Sequence, residues 1–279
     1  MSGLGNTLRG AGEGLDSLFV AAARALEAGS AGAAPRSDPA GAGLFDEAPM
    51  GPASPEPTAA EAERAAGFVR CRSALLFDLC LRAWMSEEGV GAELLRTAAE
   101  VGLEGEEVAD DCARPHVRLL RAACRRVDRE ICRLHGLARF APRADGLYSA
   151  PMEPDHNVLA ALVPHFSRRF GREDFALVDL RRGLAFEARS GIVEARTGAD
   201  ALALLPDPGT GEEEALWRRY FEAAENPLRR NAALQRRLMP ARYWKYLPEL
   251  AGQGSGTGPA ATRAAVFRRG RDGATLGPS

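Results

Sequence analysis

Two stretches of this 279-residue chain are too poor in apolar side chains to join a packed core, and they bound what the rest can fold into. Residues 28–60 include 24 Ala, Gly, Pro or Ser among 33, and residues 250–279 have the same character. Such segments bury too little surface to offset the entropy of ordering them. The expected organisation is an amphipathic helix within 1–27, a disordered linker over 28–60, a folded domain over 61–249 and a disordered basic tail over 250–279. The domain divides into a helical part, 61–137, and a mixed part, 138–249. Because only 6% of residues are aromatic, its core must rest on Leu, Val, Ala and Phe.

Helical spacing is clearest in mid-chain. Val117, Leu120, Cys124, Val127, Ile131 and Leu134 alternate steps of three and four, with Pro115 suited to a first turn and Gly136 to an end. A helix is therefore expected over 114–135. Upstream, Thr58 and Glu61 have capping-box spacing and open a helix burying Phe68, Val69, Leu75, Leu76, Leu79, Cys80 and Trp84. Another follows over 92–101. The first helix, 15–27, carries Leu15, Leu18, Phe19, Ala22 and Leu26 on one face and is expected to be left without a partner by the linker after it. Beyond 137 the texture changes. Strands are expected over 147–152, 175–179, 184–188 and 192–195, with turns at Arg181-Arg182-Gly183 and Ser190-Gly191. A helix over 157–170 is capped by Asp155 and bent by Pro164, and further helices run over 212–224 and 228–239. The fold class is α+β, an N-terminal helical bundle followed by a small antiparallel sheet with flanking helices.

The net charge of −2 excludes a strongly basic or strongly acidic chain but hides opposed regions. Residues 44–113 hold 15 acids against five arginines, whereas 114–143 hold nine arginines against Asp128 and Glu130. The acidic helices can pack against the basic helix and cancel it. Segment 226–246 has no acid and carries Arg229, Arg230, Arg236, Arg237, Arg242 and Lys245. At 100° per residue the first four of these share about a third of the helix circumference, a face that can grip phosphates. Tyr243 and Trp244 beside Arg242 and Lys245 add aromatic faces able to stack on bases. The competing reading is a solvated face paired with acidic helices. Asn231 and Gln235 fall in the arc that holds Leu228, Leu238 and Met239, so their amides are expected to face inward, either tying down backbone groups or lining a cleft.

Glu153, Asp155 and His156 crowd a strand-to-helix junction, which invites an acid–base reading, with helix capping as the alternative. His165 lies on the far side of the same helix from His156, which disfavours a shared metal. His116 and His135 read as structural. Five cysteines without a C-x-x-C pair suit reduced thiols, and no metal site is expected in this chain. Phosphate-loop, dinucleotide, Gly-x-Ser-x-Gly and His-Glu-x-x-His motifs are absent. With no run of roughly 18 apolar residues and no signal-peptide core, a cytoplasmic protein without a membrane partner is expected.

A set of ordered motifs carries a family resemblance: Arg139-Phe140, Gly146-Leu147-Tyr148 through Glu153-Pro-Asp-His156, His165-Phe166, Phe170, Asp179 with Arg182, Trp217 to Tyr220, and Arg230-Asn231 through Gln235 to Trp244-Lys245. Over residues 44–249 the chain resembles a bacterial family of DNA metabolism proteins, itself a domain of unknown function. The resemblance implies a gene neighbour encoding a radical S-adenosylmethionine protein of DNA repair or modification, and in some bacteria a fused uracil-DNA-glycosylase-like domain. No such domain is expected after the tail, so glycosylase activity is not part of the expectation here, and Gly12 to Leu15 stand where the resemblance implies an aromatic, acidic opening strand. Three readings result. The first is a DNA-binding accessory protein whose partner holds the S-adenosylmethionine and iron–sulfur cluster. The second is an enzyme for a nucleotide or damaged base, with Glu153, Asp155 and His156 facing Asn231 and Gln235. The third is a non-catalytic scaffold.

Overall fold

In the computed structural model of the chain, residues 14–31, 57–206, 212–226 and 231–250 are described. Most of the expected linker and tail, and Arg229 and Arg230, lie outside them. Two compact units meet in sequence between Arg129 and Glu130.

The first unit is helical. Helix α1 spans Leu15–Ser30, α2 Ala59–Arg72, α3 Ala74–Met85 and α4 Gly91–Glu104, followed by a 3-10 turn at Glu106–Asp110 and the long helix α5, Pro115–Leu137. The capping box forms as its spacing dictates: Glu61 Oε2 accepts the Thr58 N–H at 2.8 Å, and Thr58 Oγ1 accepts the Glu61 N–H at 3.3 Å. The single helix expected beyond it is two. Ser73 is extended, and its hydroxyl accepts the Leu76 N–H at 3.1 Å, so one buried residue ends α2 and caps α3.

Helix α1 is not left hanging. Leu15, Phe19, Ala22 and Leu26 are buried, and Phe19 stacks on Phe77 with ring centroids 5.1 Å apart. Its packing on α4 depends on two glycines: a Cβ built on Gly29 would lie 1.9 Å from the Ala99 carbonyl oxygen, and one on Gly102 would lie 2.1 Å from that of Leu26. Each helix thus supplies the notch that the other's backbone enters. The helix also runs three residues past its expected end, so Ala28 to Ser30 are structured.

The basic stretch is partly cancelled by the acidic one. Arg114 pairs with Glu100, Glu104 and Asp111, Arg121 with Asp110, Arg126 with Glu88, and Arg82 with Asp128. Val117, Leu120, Cys124, Val127 and Leu134 are buried along α5 as their spacing requires. Of the cysteines, Cys71, Cys112 and Cys132 are exposed. Burial pushes the Cys80 thiol up to about 12 and that of Cys124 to about 11. A thiol reagent at neutral pH should therefore label the three exposed residues promptly and the other two only in denaturant. Uniform labelling of all five in the native protein would contradict this packing.

The second unit carries a five-stranded sheet in the order β1 (Ala141–Pro142), β2 (Tyr148–Met152), β3 (Phe175–Asp179), β4 (Leu184–Arg189), β5 (Ile192–Thr197). It is mixed rather than an antiparallel meander, because β2 and β3 run parallel while the other pairs are antiparallel. A parallel pair needs a crossover connection, and helix α6, Leu159–Phe170, supplies it with Pro164 inside it. Phe175, Leu177 and Phe186 share one sheet face. Phe140, Phe166 and Phe170 cluster with Phe175, the closest ring pair being Phe140–Phe170 at 4.6 Å. The opposite face packs Ala176, Val178 and Ala185 against Ala201 of helix α7, Gly198–Leu202, and against Leu204 and Leu205. Between β4 and β5, Ser190 and Gly191 both have positive φ, 50° and 80°, the two-residue hairpin their sequence suggests.

Helix α8 covers Glu212–Ala224 and α9 covers Ala232–Leu238; 3-10 turns follow at Ala241–Tyr246 and Pro248–Leu250. The α+β class, helices first, describes the chain. Among the described residues no helix is long and apolar enough to cross a membrane.

Candidate functional site

The site is organised by a carboxylate on the inner side of α5. Helical projection places Glu130 within about 20° of Ala123, which is fully buried, and Glu130 itself is 2% exposed. A buried carboxylate must be matched by donors, and several converge. Glu130 accepts the backbone N–H groups of Asp155 and His156, each at 2.8 Å, and the Tyr243 hydroxyl. The Arg242 guanidinium lies 3.5 Å from Glu130, 2.6 Å from the Asp155 carboxylate and 2.9 Å from the Tyr243 oxygen.

The 153–157 loop is tied down from its other side by the β3–β4 turn. Arg182 pairs with Asp179 at 2.7 Å and donates to the carbonyls of Pro154, at 3.2 Å, and Asp155, at 2.8 Å. Asp179 is fully buried and also accepts the N–H groups of Arg181 and Arg182. Burial pushes the Asp179 carboxyl above its ordinary range, and Arg182 opposes that. Lys245 completes the ring with a 2.6 Å ion pair to Glu153. Burial, reinforced by neighbouring Glu130, raises the Tyr243 hydroxyl; burial and Glu153 raise that of Tyr246. Both phenols stay protonated at physiological pH.

Two groups of residues that the sequence suggests separately, Glu153–Asp155–His156 and Arg242–Tyr243–Lys245, are thus one interlocked cluster. Asp155 does not cap the following helix, which begins at Leu159 with no side-chain cap. The Glu130 carboxylate holds the Asp155 and His156 amides outside it. Asn231 does not face inward either: it is exposed and caps α9, its Oδ1 accepting the Leu234 N–H at 2.9 Å, which also starts that helix later than expected. Gln235 is half-buried, and Leu238, expected on the inner arc, is 56% exposed. Arg236 and Arg237 are exposed. Tyr243 is 2% exposed, so its ring is unavailable for stacking, while Trp244 is half-buried and donates to the Met239 carbonyl at 2.8 Å.

Other contacts were not expected. His165 stacks on His135, with ring centroids 4.0 Å apart, and burial, then His165, lowers the His135 pKa. Glu249 accepts from Trp217 Nε1 at 2.9 Å and pairs with Arg139 at 2.5 Å, while the Arg139 guanidinium lies 5.4 Å from the Trp217 ring centroid. Glu130 had a legible signal, a carboxylate at the edge of the apolar stripe of α5, next to Ala123 and Leu134 in projection; Glu249 had none. Among the described residues no group of three or more His, Cys, Asp or Glu is placed to hold a metal ion.

No curated protein and no solved structure matches the chain. A family model does, over residues 87–249, a span that includes α4, α5, the sheet and the whole interlocked cluster. The chain belongs to the DUF4130 family, a domain of unknown function.

Proposed function

We propose that this protein is a DNA-binding accessory factor in DNA repair or modification, working beside a radical S-adenosylmethionine enzyme that supplies the chemistry. The observation that carries the DNA part is the pair Arg236 and Arg237, adjacent and exposed in the last turn of α9, within a segment that holds no acidic residue. Guanidinium groups so placed can each engage a phosphate through paired N–H bonds. Arg242 and Lys245 play a different part: their carboxylate partners fix the turn that follows α9. The partner enzyme rests on the resemblance of the ordered motifs alone.

The enzyme reading finds less support. Glu153 and Asp155 each face a cation, and the Asn231 oxygen is committed to a helix cap. Glu153 or Asp155 acting as a general acid or base would have to break its ion pair first.

Fluorescence anisotropy with labelled single- and double-stranded DNA across a salt series tests the proposal. Binding should weaken steeply with salt, and the Arg236→Ala, Arg237→Ala double variant should flatten the log–log slope by about two units. An unchanged slope and affinity in the double variant would remove the support offered here.

A further inference from the structure

We infer that the outer face of α5 is a second phosphate-binding surface, formed by Arg118, Arg125 and Arg129; the inference rests on the DNA-binding reading above. In helical projection these three side chains fall within about 40° of one another, on the side opposite Val127 and the buried stripe. All three are exposed. Along the axis they span about 16 Å, with Arg125 and Arg129 separated by about 6 Å, so they form a straight row on a rigid rod.

What sets the row apart is its lack of countercharge. Nearby arginines are matched: Arg114, just before α5, with three carboxylates, and on α5 Arg121 with Asp110 and Arg126 with Glu88. Those pairs, together with Arg82–Asp128, occupy the acids nearest in the sequence. Among the described residues, Arg118, Arg125 and Arg129 pair with no carboxylate; Arg118 donates only to the Cys112 carbonyl, at 3.3 Å. Positive charge therefore survives along this line of α5, while Arg121 and Arg126 on the same helix are neutralised.

A linear row of guanidinium groups matches a linear array of phosphates. Duplex DNA carries one negative charge for about every 1.7 Å of its axis, so a 16 Å row can meet several without bending either partner. The residue between the arginines on this face, Ala122, is small and lets the backbone of a ligand approach. The row holds no aromatic or large aliphatic side chain of the kind that anchors a protein–protein contact. Its chemistry is that of a nucleic acid backbone.

The test uses the full chain carrying Arg118→Ser, Arg125→Ser and Arg129→Ser, with the α9 arginines intact. Because the replaced side chains are exposed, the thermal midpoint should stay within about 2 °C of the parent. Anisotropy with a labelled 20-base-pair duplex should show the salt slope reduced by about 2.7, that is 0.9 for each contact. Lysine at the same three positions should restore most of that slope. A parental slope in the serine variant, alongside loss in the Arg236→Ala, Arg237→Ala protein, would overturn this inference and leave the proposed function standing. Absence of salt-dependent binding by the parent would overturn both. Equal displacement of duplex by polyglutamate at matched charge would also overturn it, since the row would then recognise acidic chains rather than phosphates.

Discussion

Glu130→Ala is expected to destabilise the sheet-bearing unit by about 3–5 kcal/mol, the usual cost of removing one partner from a buried charged cluster. The loss is large because of what remains behind. The Asp155 and His156 amides and the Tyr243 hydroxyl all keep their need for an acceptor after the carboxylate has gone. Glu130→Gln should fare little better, because its amide group turns donors toward donors. Tyr243→Phe, by contrast, removes a donor together with its requirement and should cost about 1 kcal/mol. Thermal unfolding separates these cases: for a chain of this size the alanine variant should melt on the order of 10 °C lower. A shift below about 2 °C would mean that the 153–157 loop is held by its Arg182 contacts alone.

Gly102→Ala is the second substitution with a large expected effect. A methyl group there would sit 2.1 Å from the Leu26 carbonyl oxygen and 3.0 Å from the Ser30 nitrogen. Both are backbone atoms, which cannot swing aside as a flexible side chain can. The α1–α4 crossing must open, at a cost of about 3 kcal/mol, and hydrogen exchange across 15–30 should accelerate. The reciprocal change, Gly29→Ala, should do the same through the Ala99 carbonyl. Gly67→Ala in α2 is the control, since nothing lies within 4 Å of its added carbon. There the gain in helix propensity should raise stability by about 0.5–1 kcal/mol. Equal effects at positions 67 and 102 would show that α1 does not pack as described.

The contrast between these glycines indicates what a sequence discloses. Gly67 and Gly102 stand in similar helical patterns, and only the approach of another backbone, set by residues 70 or more positions away, distinguishes them. Features decided within a few residues were legible: the Thr58–Glu61 box, the buried stripe of α5, the Ser190-Gly191 turn. The parallel pairing of β2 with β3 was not, because strand alternation carries no information about direction. The same holds for the C-terminal basic segment. Its charge was plain, but the partners of Arg242 and Lys245 lie about 90 to 115 positions upstream, so the sequence could not show that these two exposed cations are held in ion pairs with Asp155, Glu130 and Glu153. Asp155 shows local preference yielding to a distant group, since a good capping residue gives way when Glu130 claims its own amide.

The two rims of the sheet also bear on how the protein behaves in a crowded solution. At one rim β1 is only two residues long and ends in Pro142, which has no N–H to offer a passing strand. At the other, β5 presents Glu194 and Arg196, joined by a 2.5 Å ion pair that an incoming chain would have to desolvate. Neither rim is a template for another polypeptide. Fibrillar growth by main-chain pairing is therefore discouraged at both sides of the sheet, even though β3 at its centre is an unbroken buried strand of the type that would aggregate if it were uncovered.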